Sequence, residues 1–231
     1  MRMVFVPGFS QTAASWSGVL ARLPLRSDAH VAEIPAAPTF EATADRLASD
    51  GGPGAWIGYS MGGRLALGVA LRHAAQVGAL VLVSATAGIE DAAERSARVH
   101  ADDLRARDVE VRGVDAFLAD WLAQPMFATV PRNAPGLVER RTLSPATLAH
   151  QLRALGPGHM PSYWDVLMNL SMPVLLVSGT KDEKFDALNA RMAQRIRNVT
   201  HIRIGCGHAV PLEAPGELAD AITTFLHAIA S

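Results

Sequence analysis

The sequence predicts a doubly wound α/β fold built around a parallel sheet. Short apolar runs recur along the chain and are separated mostly by helix-like stretches, which gives a β-α-β rhythm. Two runs, ALVLVSA at 79–85 and VLLVSG at 174–179, are apolar on both faces. Strands of a parallel sheet have this pattern because helices cover both sides of it. We expect six strands, at 3–6, 30–34, 55–59, 79–84, 174–178 and 200–204.

One long interval breaks this rhythm. Residues 86 to 170 contain no convincing strand and read as several helices, interrupted at Gly113, Pro125, Pro131, Pro135 and Pro145. We therefore expect a helical cap of about 86–170 inserted into a single domain that spans 1–231.

Composition and charge narrow the classes of function. The chain is 49% hydrophobic and 19% charged, as globular proteins are. Its 21 Lys and Arg nearly balance its 22 Asp and Glu, so no overall field favours nucleic acid or an anionic membrane. No apolar run is long enough to insert into a membrane. The first residues are too interrupted by Pro and Gly for a signal peptide, and one cysteine forms no internal disulfide, so we expect a cytoplasmic protein.

The segment GYSMG at residues 58–62 matches the G-x-S-x-G nucleophile elbow. An apolar strand precedes it and an Ala/Leu-rich helix follows it, which is the setting that this motif needs. The glycines leave room for a serine held at a strained strand-to-helix turn. Ser60 is therefore the candidate reactive serine, with the amide of Met61 as a candidate oxyanion donor.

An activated serine needs a base and an orienting carboxylate, which follow it in the chain order Ser, acid, His. Asp182 lies in the loop after the fifth predicted strand, and Glu183 and Asp186 compete with it for the role of acid. Asp182 is preferred because it lies closest to the strand end. His208 is preferred over seven other histidines because it follows the last strand in a Gly-flanked loop.

The loop after the first strand should supply the second oxyanion donor, for which the Phe9 amide is the candidate. A plain Pro-Gly turn at residues 7–8 is the alternative. Cys206 lies beside His208, but no strained elbow presents it, so packing is the simpler role for it. No His, Asp or Glu cluster has metal-ligand spacing, and we expect neither a metal nor a cofactor.

Longer stretches resemble one family. The segments that carry this resemblance are GYSMGGRLAL, GTKDEKF, GCGHAVPLEAP and the cap stretches at 119–127 and 156–164. In these segments the chain resembles the 2-succinyl-6-hydroxy-2,4-cyclohexadiene-1-carboxylate synthases of menaquinone biosynthesis. The similarity covers essentially the whole chain. It implies an α/β-hydrolase fold and a lyase that eliminates pyruvate from 2-succinyl-5-enolpyruvyl-6-hydroxy-3-cyclohexene-1-carboxylate, with Ser60 acting as a base.

The resemblance also implies a site for a small polycarboxylate. It assigns substrate carboxylates to Arg64, Arg98 and Arg141, although Arg140 stands beside Arg141 as an equal claimant. Tyr59 and Trp121 are candidates for the pocket wall. We expect a monomer or a homodimer.

The chain departs from the family in three places, one of which is the stretch PAAPTF where a Gly-rich loop usually follows the second strand. Pro7-Gly8 stands where the family commonly has His-Gly, and the antiparallel strands that usually open the fold are missing, so all six strands are expected to be parallel. Two other functions therefore stay open: a carboxylesterase or carbon–carbon bond hydrolase that uses Ser60 as a nucleophile, and a catalytically silent binding protein.

Overall fold

The computed structural model describes residues 1–24 and 28–230. These residues form one six-stranded sheet in which every neighbouring pair is parallel, with the strand order β2-β1-β3-β4-β5-β6. The strands are β1 (Met3–Val6), β2 (Ala29–Val31), β3 (Gly54–Tyr59), β4 (Val77–Val83), β5 (Val174–Gly179) and β6 (Val199–Ile204). The six parallel strands that the sequence predicts are thus confirmed.

Two strands end earlier than predicted, and β3, β5 and β6 differ from their predicted bounds by one residue at one end. The second strand was expected at 30–34, but β2 ends at Val31 because it pairs only with the four-residue β1. The fourth strand was expected to reach Ser84, but Ser84 has a φ of 47° and so leaves the extended conformation. Edge strands and strand ends are the parts of the sheet that neighbouring residues specify least.

The described residues include nine α-helices, most of them between strands. They are α1 (Ser17–Leu20), α2 (Phe40–Gly51), α3 (Met61–Arg72), α4 (Ala92–Arg112), α5 (Val114–Leu122), α6 (Pro145–Leu155), α7 (Glu183–Ala193), α8 (Val210–Glu213) and α9 (Pro215–Ala228). None of the helices described is long and apolar enough to cross a membrane.

Both faces of the sheet are buried. Leu80 and Leu82 of β4 lie in the apolar cluster on one face, whereas Val81 and Val83 lie in the cluster on the other. Successive side chains of a strand point to opposite faces, so a strand covered on both sides must be apolar throughout. This arrangement explains the uninterrupted apolar runs in the sequence.

The residues between β4 and β5, 84–173, form what we call the helical segment. Its described residues contain α4, α5, α6 and three short 3-10 helices, and no strand. Gly113, with a φ of 81°, is the C-cap of α4. Pro145 is the first residue of α6 and follows the N-cap residue Ser144. A small core of its own, including Val109, Phe117 and Leu148, packs these helices together.

Candidate active site

Ser60 stands at the turn between β3 and α3 in a strained conformation, with φ 52° and ψ −110°. Glycine is required on both sides of it. A Cβ on Gly58 would lie 2.3 Å from the carbonyl oxygen of Gly62, and a Cβ on Gly62 would lie 2.1 Å from that of Val6. The close approach of β1, β3 and α3 therefore accounts for the G-x-S-x-G spacing.

The structure brings Ser60, His208 and Asp182 into one hydrogen-bonded chain. His208 Nε2 lies 3.2 Å from Ser60 Oγ, and His208 Nδ1 lies 2.5 Å from Asp182 Oδ2. With Nδ1–H donating to the carboxylate, Nε2 is left as the acceptor for the serine hydroxyl. All three residues follow carboxyl ends of strands, where a parallel sheet gathers its functional loops.

The competing carboxylates have other surroundings. Asp182 is the N-cap of α7, where its Oδ1 accepts from the Phe185 amide at 3.4 Å. Asp186 instead accepts from Ser178 Oγ at 2.7 Å and forms an ion pair with Arg203, and this pair lowers the pKa of Asp186. Glu183 is exposed. Only Asp182 of the three contacts His208.

Aromatic rings enclose the imidazole. The rings of Phe185, Tyr59 and Phe127 lie 4.5, 5.5 and 6.0 Å from that of His208, centroid to centroid. His208 is 1% exposed. Burial raises the pKa of Tyr59, so its phenol stays protonated. This apolar cage keeps water from the His208–Asp182 pair and strengthens their interaction.

The two candidate oxyanion amides belong to residues that line the same cavity as Ser60. Phe9 follows β1, and Met61 is the first residue of α3. Within residues 1–24 and 28–230, neither amide donates a hydrogen bond to the protein. Amide hydrogens that lack a partner beside a reactive serine can stabilise negative charge on a bound oxygen.

The cavity has a volume of about 340 Å³, which is enough for a small organic molecule. Among its walls are the following expected residues: Phe9, Tyr59, Ser60, Met61, Arg64, Arg98, Trp121, Asp182 and His208. Trp121 packs edge-on to Phe9, with ring centroids 4.8 Å apart. The helical segment therefore contributes directly to the pocket wall.

Arg64 and Arg98 give the cavity positive charge. Arg64 is 6% exposed, and its Nη1 donates to the carbonyl oxygen of Leu155 at 2.7 Å. Burial, aided by the charge of Arg98, lowers the pKa of Arg64 to about 9. Arg98 is paired with Asp102, whose carboxylate it reaches at 2.8 Å. The guanidinium of Arg64 is buried and donates to a neutral carbonyl oxygen, so its charge favours an anionic ligand.

The third expected arginine is replaced by its neighbour. Arg141 lies outside the cavity, where it is 67% exposed and pairs with Asp115 at 3.4 Å. Arg140 is the one that lines the cavity, with 1% exposure and its Nη1 donating to Ser10 Oγ at 3.1 Å. The two belong to one 3-10 helix, Glu139–Thr142, where adjacent side chains point to different sides.

Among the His, Cys, Asp and Glu residues in the described part of the chain, no group of three could hold a metal ion.

A family model for the alpha/beta hydrolase family matches residues 3–221. The chain belongs to this family.

Several relatives of this α/β-hydrolase carry the name of one enzyme. A putative 2-succinyl-6-hydroxy-2,4-cyclohexadiene-1-carboxylate synthase from Bacillus subtilis is 35% identical over 180 residues, 75% of this chain. The match spans 65% of that relative's own length. The synthase from an Enterobacter species is 29% identical over 97% of this chain and 91% of its own.

Solved structures agree with these relatives. The structure of MenH from S. aureus has a TM-score of 0.90 and 27% identity, and covers 100% of this α/β-hydrolase and 95% of its own chain. An esterase from Thermogutta terrifontis with malate bound has a TM-score of 0.77 over 100% of this chain and 91% of its own, at 23% identity. That second likeness concerns the fold alone.

The sequence analysis missed several polar residues of this α/β-hydrolase site, and three of these hold its loops in place. Gln11 and Gln151 line the cavity and accept hydrogen bonds from the oxyanion loop, residues Gly8 to Gln11, and Glu213 accepts from the loop of His208. Gln151 is 141 residues away from its partner Ser10, so no local pattern could reveal it. Glu213 offered a weak signal, because it follows His208 by only five residues.

Proposed function

We propose that this protein is a lyase that eliminates pyruvate from 2-succinyl-5-enolpyruvyl-6-hydroxy-3-cyclohexene-1-carboxylate, the synthase step of menaquinone biosynthesis. The observation that carries the proposal is the match to MenH from S. aureus, at a TM-score of 0.90 and 27% identity over all of this chain. The curated synthases at 29% and 35% identity point the same way.

In this reaction Ser60 is a base. Its Oγ takes the proton from ring carbon C2, which bears the succinyl group, while its own proton passes to His208 Nε2, 3.2 Å away. The electron pair of the broken C–H bond forms the C2=C3 double bond, the C3=C4 pair moves to C4=C5, and the C5–O bond to the enolpyruvyl group breaks. The imidazolium, held by Asp182, gives its proton to the departing enolate, which becomes pyruvate. No water is consumed.

The charge that develops in this step lies on the succinyl carbonyl oxygen, which is conjugated with the ring. The amides of Phe9 and Met61 are the donors available to that oxygen. An elimination next to a conjugated carbonyl and an acyl transfer both produce an oxyanion. The same constellation therefore serves a lyase without any change in the fold.

The substrate carries three carboxylates, and four arginines line the cavity, namely Arg64, Arg98, Arg105 and Arg140. Arg64, Arg98 and Arg140 would bind these groups, with Tyr59 and Trp121 as apolar walls. Arg140, and not Arg141, would bind the third carboxylate. The polycarboxylate is the only partner proposed, and the protein would act in the cytoplasm as a monomer or a homodimer.

We further propose that the chain is one domain of 1–231 in which the helical segment acts as a cap. Trp121 of α5 and Gln151 of α6 both face the cavity, so this segment closes one side of the site. A closed cap would keep water away from the elimination.

The deciding experiment mixes wild-type protein and Ser60→Ala with the enolpyruvyl substrate and follows pyruvate and the ultraviolet absorbance of the cyclohexadiene product. The proposal expects both products from wild type and a loss of at least about 1,000-fold in the variant. A wild type that releases no pyruvate from authentic substrate would sink the proposal.

A serine esterase or carbon–carbon bond hydrolase is the second candidate. It is favoured by Ser60 Oγ, which lies on the cavity wall within hydrogen-bond distance of a buried His208, as a nucleophile must. Ser60-dependent turnover of aryl esters, faster than any pyruvate release, would favour this candidate over the lyase.

A further inference from the structure

The oxyanion loop, residues Gly8 to Gln11, presents three consecutive amides beside the cavity, and glutamines accept two of them. The Gly8 amide donates to Gln11 Oε1 at 3.0 Å, and the Ser10 amide donates to Gln151 Oε1 at 3.3 Å. Among the described residues the amide between them, that of Phe9, has no acceptor. The two glutamines thus leave one amide of this loop for a ligand.

This loop is held in a conformation that it would not adopt unaided. Ser10 has a φ of 57°, a left-handed conformation that is sterically unfavourable for a residue with a Cβ. Its backbone amide and its side chain are both engaged, by Gln151 and by Arg140 Nη1 at 3.1 Å. Ser10 itself is fully buried. The peptide that joins Phe9 to Ser10 is therefore oriented by side-chain contacts.

Both contacts to Ser10 come from the helical segment. Gln151 belongs to α6, and Arg140 belongs to the 3-10 helix before it. Gln151 is 4% exposed, so water does not readily replace its carbonyl as an acceptor. The oxyanion loop follows β1, at the other end of the sequence, and the helical segment reaches it only in the folded chain.

We propose that Gln11 and Gln151 are positioning residues that occupy the amides on either side of Phe9, so that of this loop only the Phe9 amide remains to join the Met61 amide at the developing oxyanion. Because Gln151 is carried by α6, a competent oxyanion site depends on how the helical segment is seated. The inference rests on the proposed function only in assigning the oxyanion to a succinyl carbonyl. The positioning itself applies equally to an ester substrate.

The first readout needs no substrate. Amide hydrogen exchange, followed by nuclear magnetic resonance, should find the Gly8 and Ser10 amides protected in the wild type. In Gln151→Leu the Ser10 amide should exchange at least tenfold faster while the Gly8 amide stays protected, and Gln11→Leu should give the reverse. Gln194→Leu is the matched control, because Gln194 is exposed at the C-cap of α7. Thermal unfolding of each variant checks that it is folded.

The second readout is reactivity at Ser60, measured as kcat and KM for pyruvate release and as the rate of labelling by a fluorophosphonate. In that labelling the Ser60 Oγ–P bond forms, fluoride leaves and the serine proton passes to His208. We expect each glutamine variant to lose about 10- to 100-fold in kcat and in labelling rate, with KM changed less than threefold. A merely structural defect would not separate kcat from KM in this way.

The outcomes are distinguishable. If Ser10 exchange is unchanged in Gln151→Leu, or if it rises while kcat and labelling stay at wild-type rates, the positioning role is overturned. If the wild type releases no pyruvate but its labelling and its Ser10 exchange respond to Gln151→Leu as expected, the inference holds and the lyase function fails.

Discussion

The carboxylate of Glu213 holds the loop of His208 by the amides on either side of that residue. Its Oε2 accepts from the Gly207 amide at 2.7 Å, and its Oε1 accepts from the Ala209 amide at 2.9 Å. Asp182 fixes the imidazole ring, while Glu213 fixes the backbone that carries it. The base is therefore oriented by two carboxylates with different tasks.

Glu213→Gln should lower kcat about tenfold and leave KM nearly unchanged. A carboxamide offers one acceptor oxygen, so one of the two amides would face an N–H group and His208 would shift relative to Ser60. Hydrogen bonds to a charged group are worth about 1.5–3 kcal/mol, so the free energy of unfolding should fall by a similar amount. Steady-state kinetics and urea unfolding measure the two effects.

Glu217→Gln is the matched control, because Glu217 is exposed on α9. Its kinetics should equal those of wild type. Wild-type kcat in Glu213→Gln would contradict the role given to this carboxylate.

Arg140→Met should raise KM for the tricarboxylate about 10- to 100-fold, whereas Arg141→Met should change it less than twofold. Arg140 is buried in the cavity wall, while Arg141 is exposed and paired with Asp115. A lost charge-assisted hydrogen bond of about 1.5–3 kcal/mol sets the size of the first effect, and a surface ion pair contributes little to the second. Equal KM values for the two variants would refute the choice of Arg140.

Cys206 should resist alkylation by iodoacetamide at pH 8 in the folded protein and react readily after unfolding. Burial raises the pKa of its thiol to about 12, so only about one molecule in ten thousand is a thiolate at pH 8. The ordinary pKa of about 8.5 returns in the unfolded chain. Mass spectrometry after timed quenching measures the modification.

The raised pKa of Cys206 also makes the stability of the folded protein depend on pH. Because the folded pKa is raised, the contribution of the neutral thiol is fully present below about pH 8.5. It is lost as the pH rises towards about 12. Rapid alkylation of the folded protein at pH 8 would show that the thiol is not buried as described.

Gly62→Ala should destabilise the fold by at least about 3 kcal/mol, because the new Cβ would lie 2.1 Å from the Val6 carbonyl oxygen and only backbone movement could relieve the contact. Gly205→Ala is the control, since a Cβ there meets nothing within 4 Å. Its stability should stay within about 0.5 kcal/mol of wild type. Urea unfolding of both variants is the measurement, and an unaltered midpoint for Gly62→Ala would contradict the close packing of the elbow.

Local patterns carried much of the fold. The runs at 79–84 and 174–178 predicted buried parallel strands, because a strand covered on both faces must be apolar throughout. Gly113 and Pro145 marked helix ends correctly, since one residue supplies a positive φ and the other opens a helix. Such signals depend on a few neighbouring residues, and a sequence displays them directly.

The choice between adjacent candidates depended on long-range contacts. Arg140 and Arg141 are equal in the sequence, and only the packing of their 3-10 helix against Ser10, 130 residues away, turns the first inward. The acceptor Gln151 was invisible for the same reason, because it lies 141 residues from Ser10. A glutamine has no preference for an oxyanion loop until the folded chain brings the two together.

By itself, the sequence determined a parallel α/β sheet, a serine at a glycine-flanked elbow, and an acid and a histidine in loops after later strands. These follow from the periodicity and the backbone requirements of short segments. The tertiary structure alone decided which guanidinium lines the cavity and which glutamine accepts from the Ser10 amide. Both depend on distances between residues far apart in the chain, and such distances are set only when the helices pack on the sheet.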